Sequence, residues 1–88
     1  MRRKSGFALR KVGEVNIVVP LGQKVLDLNG VITLNETGAF IWELLGEERS
    51  LGELVEAVSQ EFDVEPDQAR KDIEDFLENL RKFDMLEG

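Results

Sequence analysis

LNETGAFIWELLGEERSLGEL, Leu34 to Leu54, is the stretch on which the reading of the fold turns. Before it, apolar residues alternate; within it, they begin to recur at helical spacing. Asn35 or Thr37 can cap a helix by accepting a backbone N–H on a side-chain oxygen, with Leu34 just outside as a staple residue. Phe40, Ile41, Leu44 and Leu45 then form one stripe, Trp42 lies at its edge, and Gly46 ends it. Ser50 and Glu53 stand three apart, as a capping box requires, so a second helix starts there. Leu51, Leu54, Val55, Val58 and Phe62 make its buried face.

Downstream, Pro66 suits the first position of a third helix, which makes Glu65 its cap. Ala69, Ile73, Phe76, Leu77, Leu80 and Phe83 follow as one long apolar stripe. Upstream, the pattern is that of strands. FALRKV (Phe7–Val12) alternates, and EVNIVVP (Glu14–Pro20) is rich in β-branched residues and closed by a proline that cannot donate to a ladder. Asn29-Gly30 separates two short apolar runs, a strong hairpin signal because a type I′ turn needs positive φ at both central residues. Short strands are therefore predicted over Val25–Leu28 and Val31–Leu34. The order is small sheet, helix, short helix, long helix. It predicts an α+β, winged-helix-like fold, with a small N-terminal antiparallel sheet of three to four strands packed against three helices.

An 88-residue chain is expected to make one domain, burying roughly 60–65% of its unfolded surface. With no Cys and no His, it lacks disulfide staples, thiolate metal sites, the commonest general base and the commonest metal ligand. The serines have no His partner, and the scattered glycines form no phosphate-cradling loop. No enzyme active site, cofactor site or metal site is expected. No stretch approaches a membrane span and no signal-peptide core follows the basic start, so the expectation is a soluble, cytoplasmic protein.

Charge narrows the partners. Arg2, Arg3, Lys4, Arg10 and Lys11 fall in the first eleven positions, and residues 1–6 read as a flexible basic tail. From Val12 onward six basic residues face eighteen acidic ones, a net charge of −12. Such a body repels phosphate backbones, and the third helix, which in a winged helix would enter a groove of DNA, carries Asp67, Asp72, Glu74, Asp75 and Glu78. Nucleic acid is not an expected partner. A small sheet has edges, however, and an edge offers idle N–H and C=O groups to an extended peptide. Val25–Leu28 and Val31–Thr33 are both candidate docking edges, with Val31, Ile32 and Thr33 as the candidate backbone groups. Leu26, Leu28, Phe76, Leu80 and Phe83 are candidates to line the cleft beside them, and Arg70, Asp72 or Asp75 to pair with charges on the peptide. Taken one by one, Ile73, Phe76, Leu77 and Leu80 also fit a plain core role.

The segments LNETGAFIWELL, SLGELVEAVSQEFDV and ARKDIEDFLENLRKFDML together resemble the PqqD family. Leu34, Asn35, Thr37 and Gly38 before Ile41-Trp42 carry the likeness. Phe62-Asp63-Val64, then Asp72-Ile73 and Phe76-Leu77, continue it over most of the chain. The family's small proteins assist synthesis of pyrroloquinoline quinone and related peptide-derived products. The resemblance implies a recognition element without catalysis of its own. It would capture the leader of a ribosomally made precursor peptide and present it to a modifying enzyme, often a radical S-adenosylmethionine protein. It also implies that the leader adds as a strand to the sheet edge and packs against the third helix. FDMLEG departs from the family pattern in lacking the usual glycine before the last apolar pair. Two other readings compete: a winged-helix nucleic-acid-binding regulator, and a structural homodimer joined edge to edge. The sequence leaves monomer and homodimer both open.

Overall fold

The structure is a computed structural model and describes residues 1–21 and 32–87. Its elements run β1 (Arg2–Arg3), β2 (Phe7–Val12), β3 (Val15–Pro20), β4 (Ile32–Leu34), α1 (Glu36–Leu44), α2 (Leu51–Phe62), α3 (Pro66–Lys82) and β5 (Leu86–Glu87). β2, β3 and β4 form an antiparallel sheet in that order, so the expected α+β, winged-helix-like architecture is present. The predicted strand over Val25–Leu28, the Asn29-Gly30 turn and Val31 lie outside the described residues.

Alternation sets the two faces of the sheet. Val18 is opposite Leu9 on one side and Ile32 on the other, and Pro20 is opposite Phe7. Val18 is fully buried, and Phe7, Leu9, Ile32 and Leu34 pack against the core around it. β2 and β3 are joined through Gly13 and Glu14, with Gly13 at φ 63°. A two-residue hairpin turn asks for positive φ there, which glycine adopts without a Cβ clash.

The helices cover the inward face. Ile41, Trp42 and Leu45 come from the α1 region, Leu54 and Val58 from α2, and Ala69, Ile73, Leu77 and Leu80 from α3; all are buried. Of the two cap candidates for α1, Asn35 serves: its Oδ1 accepts from the Gly38 N–H at 2.7 Å. Both bonds of the Ser50–Glu53 box are made, at 2.8 and 3.1 Å. Hydrogen bonds from the backbone and side chain of Ser50 hold the Glu53 carboxyl below its ordinary pKa. With the folded pKa lowered, the stabilisation is present above the unfolded value and is lost as pH falls through the folded one. Ser50→Ala should cost about 1 kcal/mol by thermal melts at neutral pH. That cost should shrink as the solution is acidified toward protonation of Glu53.

The exit of α3 shows how the chain does without the missing glycine. Asp84 takes the left-handed conformation at φ 57°. The Met85 N–H reaches back to the Leu80 carbonyl at 2.9 Å and the Asp84 N–H to that of Arg81 at 3.1 Å. These are the two bonds of a Schellman motif, with Asp in the position usually held by Gly.

The first residues are not a flexible tail, and this corrects the sequence reading. Arg2 and Arg3 pair with Glu87 and Leu86 as a second, two-stranded sheet. The reason lies at the C-terminal end of α1, whose last turn contains no basic residue to meet its unpaired carbonyls. The Arg3 N–H donates to the Leu45 carbonyl at 2.9 Å, and its guanidinium donates to the Trp42 carbonyl at 2.6 Å. Arg49 supplies a third donor, to the Leu44 carbonyl at 3.1 Å. The Arg3 guanidinium also lies 5.3 Å from the centroid of the Trp42 ring. Trp42 is therefore central to the core, with Phe7 edge-on to it at 6.5 Å, and not at the margin of a stripe. The Met1 amine pairs with Glu48, and Lys4 pairs with Asp84. Among the described residues no helix is long and apolar enough to cross a membrane.

Candidate functional site

Beside β4 the surface folds inward into a groove of about 410 Å³. One wall is the end of β4 and the first turns of α1: Thr33 and Leu34, then Asn35, Thr37, Gly38 and Ile41. The other is α3, which contributes Asp72, Asp75, Phe76 and Asn79. Their spacing of three, one and three puts all four on one face of the helix. β4 lies at the edge of its sheet and, among the described residues, pairs only with β3. No described strand pairs along its other side, where an edge offers main-chain groups to a further strand.

Local chemistry explains why the walls stand where they do. Leu34 turns inward and ends the strand, and Asn35 starts the helix at once through its bond to the Gly38 N–H. Gly38 is buried in the first turn, and a Cβ built there would stand 3.2 Å from Cε1 of Phe76. The absence of a side chain at Gly38 thus lets the Phe76 ring come against α1 and form the half-buried floor between the two walls. Gly38→Ala would gain about 1 kcal/mol of helix propensity but overpack against the ring at a cost of about 1–3 kcal/mol. A net loss of up to about 2 kcal/mol is expected in denaturant titrations. Adding Phe76→Leu should recover part of it, a coupling that two independent sites would not show.

The sequence candidates fall into distinct places. Thr33, Asp72, Asp75 and Phe76 meet in the groove. Ile32 sits in β4 with its side chain packed toward the core. Leu80 is fully buried in the core, and Phe83, 47% exposed at the C-terminal cap of α3, is likewise not part of the groove lining. Arg70 is engaged along its own helix with Glu74 at 3.8 Å. Leu26, Leu28 and Val31 lie outside the described residues. Sequence reasoning passed over Leu34, Asn35, Thr37, Gly38, Ile41 and Asn79 as site residues. A glycine in the first turn of an otherwise apolar helix was the available signal, because such a glycine marks a close approach.

The Asp72 carboxylate accepts from the Gln68 amide at 2.9 Å. With main-chain groups on one wall, an aromatic floor and carboxylates on the other wall, the groove suits an extended chain more than a compact small molecule.

The model of the family described as Coenzyme PQQ synthesis protein D (PqqD) matches residues 23–86. No curated protein matches the sequence. Among solved structures the chain is similar to "TbiB1 in complex with the TbiA(beta) leader peptide", with 26% identity, a TM-score of 0.77 and coverage of 100% of this chain and 96% of that one. It also shares its fold with "lasso peptide synthetase B1 complexed with the leader peptide", at 20% identity and TM-score 0.73, over 96% of this chain and 93% of that one.

Proposed function

Because the chain belongs to the coenzyme PQQ synthesis protein D (PqqD) family, we propose that it is a peptide-binding adaptor. It captures the leader of a ribosomally made precursor peptide as an added strand on β4 and holds it against α3. It presents the bound precursor to a modifying enzyme of the radical S-adenosylmethionine class and catalyses no step itself. It acts as a single domain in the cytoplasm. The observation that carries this reading is that β4, among the described residues, pairs on one side only, with β3, and stands directly beside the groove. TbiB1, similar over the whole of this chain, was solved with a leader peptide, which supports the same use of this fold.

Magnitudes say why edge and groove must act together. A strand added along the three residues of β4 makes about three main-chain hydrogen bonds, each worth roughly 1 kcal/mol net. Micromolar affinity needs about 8 kcal/mol. The remaining ~5 kcal/mol corresponds to roughly 200 Å² of apolar burial, before the entropy of association is counted. Contacts beyond the strand edge must supply that area, and the groove with its Phe76 floor contributes part of it.

The test is to titrate the full chain with a fluorescently labelled leader from a short open reading frame encoded beside a radical S-adenosylmethionine enzyme, and to follow backbone amide shifts. Saturable binding that moves the amides of residues 32–34 and 72–79 is the expected result. A leader that binds while leaving both segments unmoved would place recognition elsewhere and overturn the proposal.

A further inference from the structure

The charges on the groove walls bear on which peptides it accepts. α3 turns Asp72 and Asp75 into the groove, and among the described residues no cation lines it. Among the described residues Asp75 has no ion pair, and Asp72 accepts from the neutral amide of Gln68. The cations of α3 stand off: Arg70 is engaged by Glu74, Lys71 is exposed outside the lining, and Arg81 and Lys82 occupy the last turn. The chain from Val12 onward carries a net −12, so the surrounding field adds to the two aspartates.

Resting on the leader-capture reading, we infer that the segment this site selects is an extended stretch with a Lys or Arg two residues from an apolar residue. The spacing follows from the two elements. On an added strand, side chains two apart share a face and stand about 6.8 Å apart. Asp72 and Phe76 are four residues apart on α3, a rise of about 6 Å. With the added strand running along the axis of α3, an apolar side chain resting on Phe76 brings its second neighbour level with Asp72, with Asp75 between them. Exposed ion pairs are individually weak, so the aspartates act as a filter: they favour cationic segments a little and reject acidic ones by repulsion.

The experiment selects binders to the full 88-residue chain from a random displayed library of short peptides at low salt. An enriched peptide and its copy with the basic residue changed to Gln are then labelled and compared by fluorescence anisotropy, with the amides of residues 32–34 locating the binding. Enrichment of Lys or Arg two positions from an apolar residue is expected, with the Gln copy binding up to roughly fivefold more weakly. The double variant Asp72→Asn with Asp75→Asn should erase that difference. Glu56→Gln with Glu61→Gln, the same charge change made on exposed positions of α2, should preserve it. Peptides that move the β4 amides without any basic preference, or a preference lost equally in the α2 variant, would overturn this inference and leave leader capture standing. Enriched peptides that leave the β4 amides unmoved would overturn both.

Discussion

A proline placed in β4 will separate leader capture from folding, and which proline does so will reveal the orientation of the strand. Alternate residues of an antiparallel strand turn their N–H and C=O groups to opposite sides. Thr33 is opposite Ile17, and Ile32 is opposite Val18. One of the two therefore directs its N–H to β3 and the other to the opposite side of β4, where no described strand pairs. At the outward position, proline leaves the β3–β4 ladder whole but removes a donor from the incoming strand and crowds its approach. Leader affinity should fall roughly tenfold to a hundredfold there, the range for a polar group left unmatched on binding, with little change in melting temperature. At the inward position, proline should lower the melting temperature by breaking a bond to β3. Thr33 is the cleaner probe, because its side chain is exposed while that of Ile32 packs on the core. If both variants fold and both bind leader normally, the strand-addition mechanism is wrong.

Trp42→Ala should be the most damaging change to stability. The indole is 1% exposed, meets Phe7 edge to face and is roofed by Arg3. Emptying such a site costs about 3–5 kcal/mol, against the ~5–15 kcal/mol that holds a whole domain together. For a chain of this size that is a drop of roughly 15–30 °C in melting temperature. Circular dichroism is the appropriate readout, because the chain has no other Trp to report by fluorescence. A fall of only a few degrees would mean that Arg3 and Phe7 close over the space, and would demote the N-terminal roof from a structural element to a surface contact.

Helix starts were the most legible part of the sequence, because each is written in adjacent residues. Ser50 with Glu53, and Pro66 after Glu65, mark α2 and α3 by chemistry that acts within one turn. The strands β2 and β3 were legible from Phe7–Val12 and Glu14–Pro20, but the turn between them takes up Glu14 as well as Gly13, so β3 starts one residue later than the sequence suggested. β1 and β5 were not. Each has two residues, too few for a period, and the structuring of Arg3 depends on carbonyls some forty positions away. Its charge in isolation suggested solvent. The groove was half legible. The apolar stripe of α3 is wide enough to serve two purposes, and spacing alone does not show that Leu80 faces the core while Phe76 faces the cleft. Asn35 and Gly38 were visible as a turn into α1, but their role as a wall appears only once Phe76 is seen against Gly38.

The two walls of the groove divide recognition between them. The strand edge offers peptide groups, which are the same whatever sequence arrives, so the α3 face is where one client is told from another. Under the leader-capture reading, the three exposed positions 72, 75 and 79 can be exchanged as a set while Phe76 stays in place against Gly38. That arrangement would let mutually insulated adaptor–client pairs be engineered on one scaffold, each ignoring the other's cargo in the same cell.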